Sequence, residues 1–228
     1  MNKINNIRIA LDGPAAAGKS TAAKKIAEKL GFIYIDTGAM YRTLTLKAVN
    51  QQVDPKNEQA LYNLLMNTVI ELKPGEDGQL VFLDGREVTR EIREQQVTKH
   101  VSDVALHKAV RSEMVKRQQN LLKNGGIVMD GRDIGTAVIP DAELKVFMSA
   151  TAEERARRRF EEHQSQGIQS DLQQLKSEIE ERDFIDSTRE VSPLTKAEDA
   201  IELDTTHMTI DEVVNKVTEL AAERGALR

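Results

Sequence analysis

Arg8-Ile-Ala-Leu-Asp12-Gly13-Pro14-Ala15-Ala16-Ala17-Gly18-Lys19-Ser20-Thr21 is the stretch that decides the fold of this 228-residue chain. A short apolar run ends at an aspartate, a glycine-bearing loop follows, and the stripe Ala22, Ile26, Ala27, Leu30 then marks a helix stopped by Gly31. Gly13 to Ser20 matches G-x-x-x-x-G-K-[ST] in full and lies between a strand and a helix, the context that motif requires. Gly13 and Gly18 let the backbone curl until its N–H groups converge, and the helix N-terminus adds partial positive charge. The reading is a P-loop: residues Gly13 through Thr21 cradle the phosphates of ATP, Lys19 bridges the β and γ phosphates, and Ser20 ligates Mg2+. Asp130, ending another apolar run, is the second candidate magnesium residue and Asp12 a further one, and either aspartate could simply cap a turn.

Outward from this unit, apolar runs predict core strands at Ile7 to Leu11, Phe32 to Ile35, Ile127 to Met129, Leu144 to Met148 and Ala200 to Leu203. Amphipathic helical patterns separate them, and the last, Ile210 to Ala221, opens with a capping box at Thr209 and Glu212. Thr151 with Glu154, and Ser170 with Gln173, predict two further helix starts. The alternation argues for an α/β protein with a parallel sheet. Two stretches break it. Val69 to Leu72 and Leu80 to Leu83, with a third short strand near Val88, read as a small inserted sheet with a turn at Pro74 to Gly78. Residues 151–190 read as two charged helices with few large apolar residues, which suits a lightly packed lid. The expected division is a core of 1–36, 108–150 and 191–228, a lobe of 37–107, and a lid of 151–190.

Composition narrows the function. The chain is 39% hydrophobic and 30% charged, enough for a core and a soluble surface. A formal net charge of -5 and 4% aromatic residues argue against a nucleic-acid partner, which wants phosphate-neutralising cations and stacking platforms. There are no cysteines, so thiolate metal sites and disulfides are excluded. No run is long and apolar enough for a membrane span, and the N-terminal residues do not read as a signal peptide, so the expected address is the cytoplasm.

A second charged constellation accompanies the P-loop. Thr37 and Arg42 follow the second strand, Arg132 follows the third, and Arg182, Asp186 and Arg189 are spaced to share a helix face. Collected beside a nucleotide loop, they point to a second anionic substrate at the C-terminal ends of the strands. Thr195-Lys196-Ala197-Glu198 is the nearest approach to the guanine-reading [NT]-K-x-D, and it fails at the fourth position, which argues against a GTPase.

At GPAAAGKST, IDTGAMYR, EIR, VMDGRDIGT, PDAELKVFMSAT and ERD…R the chain resembles bacterial cytidylate kinases, from about Arg8 to Arg224. The resemblance implies a three-layer P-loop fold with a five-stranded parallel sheet of adenylate-kinase type, an inserted monophosphate-binding lobe and a helical lid. It implies transfer of the γ-phosphoryl group of ATP to CMP or dCMP. By resemblance, Thr37, Arg42, Arg132, Arg182 and Arg189 hold the acceptor phosphate and sugar, while Tyr41 and Asp186 meet the ribose. Ser102, Arg111 and Asp133 match the positions that read cytosine. Arg155, Arg158 and Arg159 lie in the lid, where the family supplies charge to the transferring phosphate, and the resemblance does not choose among the three; the expected catalytic set is Lys19, Arg132, Arg158, Arg159 and Arg182.

These residue types suit the chemistry. Asp133 can accept from the cytosine amino group while Arg111 donates to N3 and O2; uracil reverses the polarity at two of those positions. A phosphate monoester is already nucleophilic at neutral pH, so no general base is required. Catalysis then rests on in-line positioning and charge neutralisation, with water excluded. The alternatives are another small-acceptor kinase, for UMP, dTMP or shikimate, and an ATP-dependent switch protein. A monomer is the expected state, since such a site is complete within one chain.

Overall fold

The computed structural model describes residues 7–75, 78–122, 126–165 and 167–225. Five strands, β1 (Arg8–Asp12), β2 (Ile33–Asp36), β6 (Ile127–Gly131), β7 (Leu144–Ser149) and β8 (Ile201–Asp204), pair in the order β2-β6-β1-β7-β8. Every pairing in this sheet is parallel. Between β2 and β6 come β3 (Ile70–Gly75), β4 (Gly78–Leu83) and β5 (Arg86–Glu87), which form a separate antiparallel sheet. The helices are α1 (Lys19–Leu30), α2 (Thr37–Asn50), α3 (Glu58–Met66), α4 (Gln95–Leu106), α5 (Lys108–Asn120), α6 (Ala152–Ser165), α7 (Leu172–Thr188) and α8 (Ile210–Glu223).

The period-two alternation of a strand makes the layers. In β1, Ile9 and Leu11 pack against Ala22, Ala23 and Ile26 of α1 and Val213 and Val217 of α8. Ala10, between them, faces the opposite layer with Ile127, Met129, Ile134 and Val138. A third cluster joins α2 to α5 through Leu44, Leu61, Leu65, Val104 and Met114. This lobe stands over the C-terminal ends of β2 and β6, while α6 and α7 stand over the P-loop side.

The five expected core strands are all present. The edge strand β8 differs in one respect: Ile201 and Leu203 pack inward while Glu202 is exposed, so it is covered on one face only. The hairpin of the small sheet is present, with Gly75 opposite Gly78; part of its expected turn, residues 76–77, lies outside the described residues. The capping box at Thr209 and Glu212 forms, and Thr151 Oγ1 accepts from Glu154 N at 3.3 Å. The expected cap at Ser170 is displaced by one residue. Asp171 caps α7, accepting from Gln174 N at 2.8 Å, because its backbone is extended and its carboxylate is the better acceptor at a helix N-terminus.

Candidate active site

The C-terminal strand ends open into a cavity of about 820 Å³, walled by the P-loop, α2, α4, α5, the segment after β6, and the α6–α7 hairpin. In an open parallel sheet this crevice is where a ligand fits. All ten sequence-derived acceptor residues line it: Thr37, Tyr41, Arg42, Ser102, Arg111, Arg132, Asp133, Arg182, Asp186 and Arg189. Ala15 to Thr21, Asp130, Arg158 and Arg159 line it as well, whereas Gly13 and Pro14, at the start of the loop, do not.

The loop geometry follows from its small residues. Gly13 has φ +145, and a Cβ there would lie 2.0 Å from the Met148 carbonyl oxygen, so the loop is pressed onto β7. Gly18, at φ +84, turns the chain into α1. Ala16 also has positive φ, at 59, an unfavourable conformation for an L-residue. Lys19 is 5% exposed and donates to the Pro14 carbonyl at 2.6 Å. Burial, reinforced by Arg132, holds its ammonium well below the ordinary lysine range.

Beside it, Ser20 Oγ donates to Asp130 Oδ2 at 2.7 Å and Tyr34 Oη donates to Asp130 Oδ1 at 2.9 Å. Burial and the neighbouring Asp36 push the Asp130 carboxyl up to about 6, against the pull of Ser20 and Lys19. Asp12 takes the turn-capping role. Its two oxygens accept from Ile134 N and Gly135 N at 2.8 and 2.7 Å, fixing the π-helical turn Ile134–Val138 that follows Arg132 and Asp133. Burial raises the Asp12 carboxyl to about 6 as well.

The cavity wall away from the P-loop is a network of arginines and aspartates. Arg132 Nε donates to Asp186 Oδ2 at 2.8 Å and Arg189 Nη1 to Asp186 Oδ1 at 3.2 Å. α7 ends at Thr188, and Arg189 folds back beside that helix. Burial opposes ionisation of Asp186, but Arg132, Arg182 and Arg189 outweigh it and hold its carboxyl below the usual range. Burial, with Arg132 beside it, depresses Arg182 to about 9, unusual for a guanidinium. Arg111 is 1% exposed, donates to Asp133 Oδ2 at 2.6 Å and to the Ala105 carbonyl at 3.1 Å, and stacks over the Tyr41 ring. Ser102, on α4, shares this end of the cavity. The Thr37 hydroxyl donates to the Asp130 carbonyl at 2.7 Å, and Thr37 opens the first turn of α2.

Three findings go beyond the sequence reading. Asp36 is the N-cap of α2, accepting from Ala39 N at 2.9 Å, and its other oxygen accepts from Arg42 at 2.7 Å and Arg93 at 3.4 Å. Burial works against its charge, but Arg42 and Arg93 hold its carboxyl below the ordinary value. Arg93 therefore joins the cavity wall; its signal in the sequence is the EIR segment, whose resemblance carries no role for it. Arg155, the first of the three lid arginines, is set apart from Arg158 and Arg159. It is buried, donates to the Ala150 and Ala15 carbonyls at 2.9 and 3.2 Å, and pairs with Asp183 at 2.6 Å, so its donors tie α6 to the loop and to α7. Arg158 and Arg159 line the cavity, with Arg158 also bonded to Thr205 and Glu154.

Similarity to known proteins agrees with this geometry. A relative named cytidylate kinase from Geobacillus sp. (strain WCH70) is 61% identical over 220 residues, covering 96% of this chain and 98% of its own length. Another of that name from Anoxybacillus flavithermus (strain DSM 21510 / WK1) is 60% identical over 218 residues, covering 96% and 97%. A solved structure of an uncharacterized protein from Eubacterium ventriosum, 11% identical with a TM-score of 0.51, covers 96% of this chain and 99% of its own and shares the fold alone. The sequence model of the family described as cytidylate kinase matches residues 9–223, and with the P-loop and the arginine-lined cavity in one crevice, the chain belongs to the cytidylate kinase family.

Proposed function

We propose that this cavity transfers the γ-phosphoryl group of ATP to CMP or dCMP, giving CDP or dCDP. The observation that carries the reading is a set of buried side-chain polar atoms with no partner among the described residues: Tyr41 Oη, Arg42 Nε, Arg111 Nε, Arg182 Nε and Arg189 Nη2. Each such atom costs stability unless a ligand completes it, and all five belong to residues lining one cavity. Four are guanidinium donors, which calls for an anionic ligand rich in acceptors, and the phenol suits a sugar hydroxyl.

In this reading the P-loop N–H groups and Lys19 hold the donor, while Arg42, Arg93, Arg132, Arg182 and Arg189 hold the acceptor phosphate. An acceptor phosphate oxygen forms the new bond to the γ-phosphorus as the bond to the β–γ bridging oxygen breaks and ADP leaves. No side chain has to remove a proton, because the acceptor is ionised at neutral pH. Arg158 and Arg159, from the helical pair α6–α7 acting as a lid, add charge opposite Lys19 and keep water out. Asp133 and Arg111 form a fixed acceptor–donor pair suited to the amino group and ring acceptors of cytosine.

Ser20 and Asp130 suit magnesium: a hydroxyl and a carboxylate 2.7 Å apart beside the loop are hard oxygen donors. Among the described residues no three His, Cys, Asp or Glu side chains gather into a cage, so such an ion would share its coordination with the nucleotide phosphates. Bound there, magnesium supplies charge neutralisation of the phosphates. Among the described residues no helix is long and apolar enough to cross a membrane. A cytoplasmic monomer acting on free nucleotides is the state this reading expects. The test is a coupled ADP-release assay with ATP and magnesium, offering CMP, dCMP, UMP, AMP, GMP and dTMP separately. Turnover strongest with CMP and dCMP supports the reading; release that no monophosphate stimulates removes it.

A further inference from the structure

We infer that Gln79, in the small inserted sheet, is a positioning residue for the acceptor phosphate, acting through Asp36; the inference rests on the acceptor reading above. Alternate residues of a strand share a face, so Gln79 points the same way as Val81 and Leu83. Val81 and Leu83 are buried against Ala39, Leu46, Ile92 and Val97. Gln79 is thus a polar residue on the inward face of β4, at the end nearest the cavity. Its Oε1 accepts from the Asp36 backbone N–H at 3.0 Å.

That bond answers a local need. β2 is an edge strand, and the N–H groups on its outer side find no partner in the main sheet. Asp36 is where this matters most, since its carboxylate aligns Arg42 and Arg93 while capping α2. Holding the Asp36 main chain fixes the origin from which both guanidinium groups are aimed. The insert itself is held in place near the P-loop. A Cβ on Gly78 would come 3.3 Å from Lys24 of α1, so the strand end rests against the helix that leads from that loop. The inserted sheet therefore holds the corner that presents the acceptor-binding arginines.

Gln79→Met keeps the length of the side chain and removes the acceptor. It should raise the KM for CMP and weaken calorimetric binding of CMP by at least about five-fold and at most about 150-fold, the range for stranding one buried N–H, while the KM for ATP stays within about two-fold. Equal losses for both substrates, or a fall in melting temperature with no change in CMP affinity, would show a merely structural role and overturn the inference. Gln79→Glu retains an acceptor but sets a second carboxylate beside that of Asp36, so its CMP affinity should fall below the parent's yet exceed that of Gln79→Met, or of Gln79→Leu where the methionine variant folds poorly. A Gln79→Glu variant that binds CMP no better than these overturns the inference. Wild-type turnover of CMP separates the two questions: its absence removes the acceptor reading, whereas its presence with unaltered Gln79 variants removes this inference alone.

Discussion

Arg111 and Asp133 are joined by a 2.6 Å hydrogen bond on the cavity wall, both almost wholly buried. They come from α5 and from the turn after β6, and Asp12 fixes that turn from below. The pair is therefore set before any ligand arrives, with its carboxylate and guanidinium in a fixed relation to one another.

Selectivity for cytosine should depend on that carboxylate. Asp133→Asn keeps the volume but lets an amide donor face the O4 of uracil, so the CMP/UMP ratio of kcat/KM should fall by about 5- to 150-fold. Steady-state kinetics with both acceptors would check it, and an unchanged ratio would reject the base-reading role. Asp133→Ala should lower the ratio too, but it strands Arg111 and should cost about 3–5 kcal/mol of stability, which makes it the poorer probe.

Removing Lys19 should separate activity from stability. Its ammonium is buried against its own interest, with Arg132 adding repulsion. Lys19→Met should lower kcat by at least about 100-fold, since a charge aimed at the transferring phosphate is lost. The melting temperature of the nucleotide-free protein should be unchanged or higher. A folded variant with near-normal kcat would overturn the assignment.

Asp12 and Asp130, both raised to about 6 chiefly by burial, predict a definite pH dependence of stability. Between the ordinary carboxylate value and that figure the native state keeps protons that the unfolded chain has released. Stability therefore falls as pH rises through this window, by up to about 1.4 kcal/mol per pH unit for each group. Asp36 and Asp186, which are depressed, act with the opposite sign and below the window: their contribution is lost as pH falls through their native values. Urea unfolding without magnesium or nucleotide between about pH 4.5 and 6.5 would measure the slope. Asp130→Asn should flatten it by about one proton's worth, whatever the variant's absolute stability.

Ala16 offers a simple gain. At φ 59 its methyl group is strained, and glycine accepts that conformation freely. Ala16→Gly should stabilise the protein by about 0.5–1 kcal/mol after the added freedom of the unfolded chain is counted. Thermal unfolding would detect this, and a destabilised variant would contradict the loop geometry.

Much of this architecture is legible in short segments. Residues Arg8 to Thr21 specify strand, loop and helix because each local signal agrees with the next, and the apolar run Ile127 to Met129 is wholly buried in β6. The residues expected to bind an acceptor are visible through DTGAMYR, DGRDIGT and ERD, and the fold brings them to one cavity. What stays hidden depends on partners distant in sequence. Spacing puts Arg155 on a face with Arg158 and Arg159, yet Ala15 and Asp183 claim it. The grip of Asp36 on Arg93 needs a segment beyond the insert. Gln79 looks like a surface residue in a short strand until the edge of β2 lies beside it.

The strand order also bears on how the chain comes into being. β1 is the middle strand, and it lies between β6 and β7, with Arg8 opposite Ile127 and Ile9 opposite Leu144. On a ribosome adding about 5–20 residues per second, a finished β1 waits on the order of ten seconds for either neighbour. The nucleotide loop has no sheet to rest on in that interval, because the Met148 carbonyl against which Gly13 is pressed has not been made. The most local motif in the chain thus depends on its most distant pairings, and an apolar strand must be shielded until they emerge.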